Sequence, residues 1–104
     1  MKVLEGVLRE SGQYYRDLKK RIESRLKLLP RGGIKRRRLG KHVYVYLQYR
    51  RNSQVVHKYV GKSVPAKLER EIEERSKLIK QLKEVKRSLA YLDRIFKRHD
   101  RSHS

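Results

Sequence analysis

Tyr44, Tyr46, Gln48 and Arg50 occupy alternate positions of one short run, Lys35 and Arg37 do so in the run before it, and His57 and Tyr59 in the run after. Alternate side chains of a β-strand share a face. If the three runs are strands, rings, an amide, an imidazole and cations stand together. The chemistry open to such a set is the holding of an anion. Lys and Arg neutralise phosphates and release their counterions. Arg and Gln make bidentate contacts to guanine and adenine in a major groove that admits a β-ribbon. Tyrosines stack on unpaired bases.

The surrounding charge points the same way. Between Pro30 and Lys62 the chain reads RGGIKRRRLGKHVYVYLQYRRNSQVVHKYVG, with no acidic residue. Residues 30–62 carry +10 (ten cations, no anion), residues 1–29 carry +4 (eight against four) and residues 63–104 carry +5 (twelve against seven). The whole chain is at +19 in 104 residues, with a pI near 10.7, as expected of a nucleic-acid-binding domain. Uncompensated charge costs self-repulsion in a folded domain and anticipates a polyanionic partner. A disordered basic tail is the plainer account of such charge, but here the cations are interleaved with Val, Ile, Leu and Tyr in ordered patterns.

Other chemistries find little support. His99 and His103 stand four apart in a polar C-terminal stretch without nearby Glu or Cys, so no metal site is expected. Gly32-Gly33-Ile34-Lys35 lacks the spacing of a phosphate-binding loop. No paired carboxylates and no Ser/His/Asp set follow from spacing, and a tyrosine recombinase would need several basic catalytic residues in a much larger domain. No catalytic residues, cofactor or metal are therefore assigned. There is no cysteine, hence no disulfide framework or thiolate metal site. The N-terminus, MKVLEGVLRESG, is too short and too interrupted by charge for a secretory signal. No run approaches the ~20 apolar residues of a transmembrane helix. No amphipathic segment sets Trp or Phe beside its lysines for membrane-surface binding. A cytoplasmic location is expected, nucleoid-associated if the partner is DNA.

The elements that must position this set follow from periodicity, and the length suits a single domain, residues 1–104, with a modest core. In residues 1–29 the apolar positions Leu4, Val7/Leu8, Tyr14/Tyr15, Leu18, Ile22, Leu26 and Leu29 fit one helix face. Gly6 and Gly12 each cost roughly 1 kcal/mol relative to Ala in a helix interior, so the first dozen residues are the expected weak end. Pro30 then stops the helix. In residues 30–62, a basic β-meander, the period changes to two. Lys35–Leu39, Val43–Arg50 and Gln54–Val60 read as strands joined by turns at Gly40-Lys41 and Asn52-Ser53. Two-residue loops would set Arg37 opposite Tyr44, Lys35 opposite Tyr46, Tyr46 opposite Tyr59 and Gln48 opposite His57. One face then carries Lys35, Arg37, Tyr44, Tyr46, Gln48, Arg50, His57 and Tyr59. The other carries Ile34, Val43, Val45, Leu47, Tyr49, Val56 and Val60, with Arg36, Arg38 and Lys58 toward its edges.

In residues 63–98 Pro65 is placed as a first-turn proline, capped by Ser63 or Val64. Leu68, Ile72, Arg75, Ile79, Leu82, Val85, Leu89, Leu92 and Phe96 form a heptad seam broken only at Arg75. Glu residues crowd the early turns and Arg94, Lys97 and Arg98 the end, as the macrodipole favours. Residues 99–104 read as a polar tail. A helix of this length needs a partner along its seam, either the first helix packed antiparallel or a second copy of the chain in a homodimer. The fold expected is α+β: a three-stranded antiparallel β-meander between two long helices that form an antiparallel helical hairpin or coiled coil.

Leu29-Pro30-Arg31-Gly32, then VYVYLQYR (43–50) and KYVGK (58–62), then a heptad helix, resembles a family of small uncharacterised archaeal, bacterial and mobile-element proteins. The likeness spans about residues 26–96, and its most specific element is the YLQYR…KYVGK pair of strands. The resemblance implies the architecture and no activity. The basic meander is also similar, at the level of fold, to the arm-site-binding sheets of phage integrases, which insert strands into the major groove.

The expectation drawn from the sequence is a non-enzymatic DNA-binding protein of architectural, regulatory or mobile-element accessory type, with duplex DNA as the partner. Arg37, Tyr44, Tyr46, Gln48, Arg50, His57 and Tyr59 form the contacting face, and Lys35, Arg36, Arg38, Lys41, Arg51, Lys58 and Lys62 meet the backbone. Cross-strand packing is the competing account of the tyrosines, and a solvated or localisation-like cluster that of Arg36-Arg37-Arg38. An RNA-binding or ribosome-associated protein, and a coiled-coil adaptor for an acidic protein partner, are the alternative functions.

Overall fold

The computed structural model describes the backbone of residues 2–103 and the side chains of residues 2–98. Five elements follow one another: α1 (Lys2–Leu28), β1 (Gly33–Leu39), β2 (His42–Arg51), β3 (Gln54–Gly61) and α2 (Ala66–His103). The strands form one antiparallel sheet in the order β1-β2-β3. The protein is thus α+β, a β-meander between two long helices. Its residues divide into two compact units, one of α1 to Lys27 with the chain from Leu78 onward, the other of Leu28–Lys77.

The first unit is a helical hairpin. Leu8, Arg9, Gly12 and Arg16 of α1 and Leu89, Leu92, Asp93 and Phe96 of α2 enclose a hollow of about 280 Å³. The N-terminal half of α1 therefore faces the C-terminal half of α2, which is the antiparallel arrangement. The apolar doublets of α1 resolve in favour of one member each. Leu8 is buried where Val7 is exposed, and Tyr15 is half-buried where Tyr14 is exposed. Ile22 and Val85 are buried as well. On α2 the seam departs from the expected heptad at one place: Leu78 is half-buried and Ile79 is exposed. A straight helix drifts by about 20° per heptad against a 3.5-residue repeat, enough over a long element to hand a seam position to the adjacent residue.

The second unit holds the sheet. Both connections are two-residue loops. Asn52 and Ser53 have φ of 50° and 67°, the pair of positive values that a type I′ hairpin turn requires. Gly40 has φ of 62° while Lys41 does not go positive, the φ pattern of type II′. These turns set the register that alternation predicts: Arg37↔Tyr44 and Lys35↔Tyr46 on one side of β2, Tyr46↔Tyr59 and Gln48↔His57 on the other. The strands reach a little further than expected, to Gly33 and His42 at their starts and to Arg51 and Gly61 at their ends.

One irregularity is new. Tyr46 pairs with Tyr59 but Val45 pairs with Gly61, so Val60 is an extra residue in β3, a β-bulge. Gly61 beside it sits at φ 134°, a conformation that side-chain-bearing residues rarely adopt. On the face away from the tyrosines Val45 (1% exposed) and Leu47 (7%) are buried. Ile34, Tyr49, Val56 and Val60 are half-buried there, and Val43, near the Gly40-Lys41 turn, is exposed. In the same unit Leu29 is buried, and Leu68 and Ile72 at the start of α2 are half-buried.

Helix α2 begins one residue later than the proline rule suggests. The Glu69 amide donates to the Pro65 carbonyl at 3.0 Å, so Pro65 itself occupies the cap position whose carbonyl accepts the first helical bond. At the other end the backbone is helical through His103, five residues past the expected limit at Arg98. The side chains of the expected polar tail, His99 and His103 among them, lie outside the described residues. Among the described residues no helix is long and apolar enough to cross a membrane.

Candidate nucleic-acid interface

Three rows of side chains cross the face of the sheet that carries the tyrosines. Residues paired across antiparallel strands point to the same side. The register therefore makes one row of Gly33, Gln48 and His57, a second of Lys35, Tyr46 and Tyr59, and a third of Arg37 and Tyr44. Leu39 with His42, and Arg50 with Val55, extend the face at its two ends. Lys35, Arg37, Arg50, His57 and Tyr59 are exposed, and Tyr44, Tyr46 and Gln48 half-buried.

The rings are in mutual contact. The Tyr46 and Tyr59 centroids are 5.5 Å apart and the Tyr44 and Tyr59 centroids 6.2 Å, in tilted arrangements. His42 continues the chain, 6.3 Å from Tyr44. Such separations are those at which aromatic pairs attract, each contributing about 0.5–1.5 kcal/mol beyond burial. Arg37 crosses its register partner diagonally, with Cζ 5.6 Å from the Tyr46 centroid. A guanidinium over a ring gains about 0.5–1 kcal/mol at an exposed site. The tyrosines are thus a floor that holds one arginine in a set direction.

Beside that arginine lies a hollow of about 290 Å³, lined by Lys35, Arg36, Arg37, Tyr46, Gln48 and His57. Gly33 stands opposite Gln48, and a Cβ there would meet nothing within 4 Å, so that end of the row is open. The hollow brings together the cations of Lys35 and Arg37, an amide and an imidazole around a ring, with Arg36 at its edge. No Asp or Glu occurs between Pro30 and Lys62, and among the described residues none of the sheet's cations has an ion-pair partner. An anion entering the hollow meets charge that no carboxylate competes for.

The residues expected to act together divide into three groups. Lys35, Arg37, Tyr44, Tyr46, Gln48, Arg50, His57 and Tyr59 share the tyrosine face, as the alternation predicts. Arg36, Arg38 and Lys58 pair with Val45, Val43 and Leu47 and so belong to the opposite face, although Arg36 also reaches the hollow. Lys41 is in the β1–β2 turn, Arg51 closes the β2–β3 hairpin, and Lys62 follows the last residue of β3. Residue-level reading missed His42, Leu39, Val55 and Gly33. The signal for His42 was available: starting β2 one residue earlier extends the series 44, 46, 48, 50 backwards to 42.

Comparison of the chain with protein-family models, with curated proteins and with solved structures finds no match.

Proposed function

We propose that this is a non-enzymatic DNA-binding protein that applies the tyrosine-floored face of its sheet to duplex DNA. The observation that carries the reading is the hollow beside Arg37: an arginine held on Tyr46, with Lys35, Gln48 and His57 around it and no carboxylate in the sheet. Arg37 and Gln48 have the fork and amide geometry that reads guanine and adenine edges. Lys35 and Arg50, with Lys41, Arg51 and Lys62 at turns and strand ends, suit phosphates on either side. Three strands spaced about 4.8 Å apart are roughly 10 Å across, comparable with a major groove about 12 Å wide. Arg36, Arg38 and Lys58 on the other face are assigned to long-range attraction rather than contact.

The ring geometry favours duplex over single strands. A stacking platform needs open ring faces, but Tyr46 is covered by Arg37, and Tyr44, Tyr46 and Tyr59 are tilted against one another. Tyr59, 51% exposed, is the one with most surface left. A cytoplasmic, nucleoid-associated location and an architectural, regulatory or mobile-element accessory role fit this reading.

The test is a competition titration of labelled duplex against single-stranded DNA and structured RNA over a salt series, repeated with Arg37→Ala. The expected result is salt-sensitive duplex binding that survives RNA competition and weakens about tenfold in the variant, some 1.4 kcal/mol, with the far-UV spectrum unchanged. Preference for RNA would replace the reading with an RNA-binding one. Weak binding of all three nucleic acids at moderate salt would redirect the charge to an acidic protein partner.

A further inference from the structure

Helix α2 carries a second concentration of positive charge on a face remote from its buried seam. Lys80, Lys83, Arg87, Tyr91, Arg94 and Arg98 follow one another in steps of three and four. At 3.6 residues per turn they fall within an arc of about 80°. They are the only residues between 78 and 98 that do, and all six are exposed. Residues 78–98 hold seven cations and two acids, so five of the seven cations are drawn to this one stripe. Neither acid belongs to it. Asp93 is engaged by Lys97 at 3.2 Å on another side of the helix, and Glu84 only borders the stripe. Among the described residues, none of the five cations has an ion-pair partner.

Two ordinary explanations fall short. The helix macrodipole favours cations near a C-terminus, but its effect is confined to the last turn and selects no face. It accounts for none of Lys80, Lys83 and Arg87. Solubilising charge on a helix surface is commonly interleaved with acids three or four residues away, as in the early turns of α2, where Glu69, Glu71, Glu73 and Glu74 balance Lys67, Arg70, Arg75 and Lys77. The stripe has a single acid at its border, Glu84, for five cations. It also holds an aromatic residue that solubility does not call for: Tyr91 is 59% exposed and, with Arg94, Ile95 and Arg98, frames a hollow of about 240 Å³.

We infer that the Lys80–Arg98 stripe of α2 is a second nucleic-acid contact surface, which runs along a phosphate backbone for about 27 Å at 1.5 Å per residue and lays Tyr91 against the sugars. No base readout is assigned to it: its charged groups are all cations, which suit phosphates, with Glu84 as the one carboxylate at its border. The identity of the polyanion rests on the DNA reading of the sheet; the surface itself does not.

The measurement is the salt dependence of binding to a labelled 24-base-pair duplex, in the full chain. Three proteins are compared with the wild type: R87Q/R94Q/R98Q on the stripe, K20Q/K27Q/K86Q as a charge-matched control off it, and Arg37→Ala on the sheet. Gln preserves helix propensity, and circular dichroism verifies the fold. Each phosphate contact contributes about 0.9 to the slope of log K against log salt. The stripe variant is expected to flatten that slope by about two to three, and the control by less than one. Equal losses in the stripe and control variants would overturn the inference and leave the sheet reading standing, provided Arg37→Ala still weakens binding. Loss on the stripe with none at Arg37 would do the reverse. Unchanged duplex binding by the stripe variant, with loss of its attachment to phosphatidylglycerol vesicles, would assign the surface to anionic lipid and overturn the inference. Absence of duplex binding by the wild type at 50 mM salt, about where such contacts are strong, would remove both.

Discussion

The sheet and α1 are both basic, but they keep their cations in different company. Ten stand in residues 30–62 with no carboxylate, whereas the eight up to residue 29 stand with four. The sheet's cations flank rings that touch one another, and one of them lies on a tyrosine. In α1 Gln13 bridges Asp17 at 2.8 Å and Arg16 at 3.2 Å, a local polar exchange on a solvated surface. Net charge alone would rank the two regions by degree. Their surroundings separate them in kind: the sheet's cations stand beside tyrosines with no carboxylate, and those of α1 share their helix with four acids.

That contrast can be broken most severely at Gly32. Its φ of 109° lies outside what an L-residue readily adopts, and a Cβ there would meet the Gln48 carbonyl oxygen and, at 2.9 Å, Tyr49 Cβ. Gly32→Ala is expected to cost about 3 kcal/mol or more of stability, read by urea denaturation, with the tyrosine face of the sheet lost together with the fold. A smaller loss would mean that the entry to β1 relaxes without disturbing Gln48.

A matched pair sharpens the comparison. Val45 in the sheet and Val85 in the helical hairpin are both nearly fully buried, and each Val→Ala change should cost about 2 kcal/mol. Because α2 continues unbroken from one unit into the other, both variants are expected to shift a single unfolding transition. Two separate transitions in calorimetry would show that the units fold independently. The smallest effect is expected from Asp93→Asn. Its partner Lys97 and Asp93 itself are both well exposed, and surface i,i+4 pairs of this kind contribute about 0.3–0.5 kcal/mol. Duplex affinity should rise slightly as one negative charge leaves, and a fall would give Asp93 a role that its position does not suggest.

Much of this architecture was legible before any coordinates, for reasons that are local. Two-residue turns at Gly40-Lys41 and Asn52-Ser53 determine pairing directly, so the partners of Tyr46 and Gln48 could be named from spacing. Proline at 30 and the change of period from near 3.6 to two mark where the first helix yields to strands. The illegible parts all depend on neighbours distant along the chain. Nothing in KYVGK announces that Val60 is extra, because a bulge is a mismatch between two strands rather than a property of either. The choice of Leu8 over Val7, and of Leu78 over Ile79, waits on the helix that each one meets. The hollow beside Arg37 is lined from all three strands and exists only once they are paired.

By itself the sequence determined the order of helix, three strands and helix, the alternation that sorts cations and tyrosines to one face, and the absence of any acid to neutralise them. These follow from backbone sterics, turn chemistry and composition, which act over a few residues. Tertiary structure alone decided that Tyr59 meets Tyr44 as well as its register partner Tyr46, that Arg37 lies over Tyr46 rather than beside Tyr44, and which apolar residues each seam buries. Those outcomes depend on rotamers and close packing among residues far apart in the chain, and such contacts exist only once the strands and helices have come together.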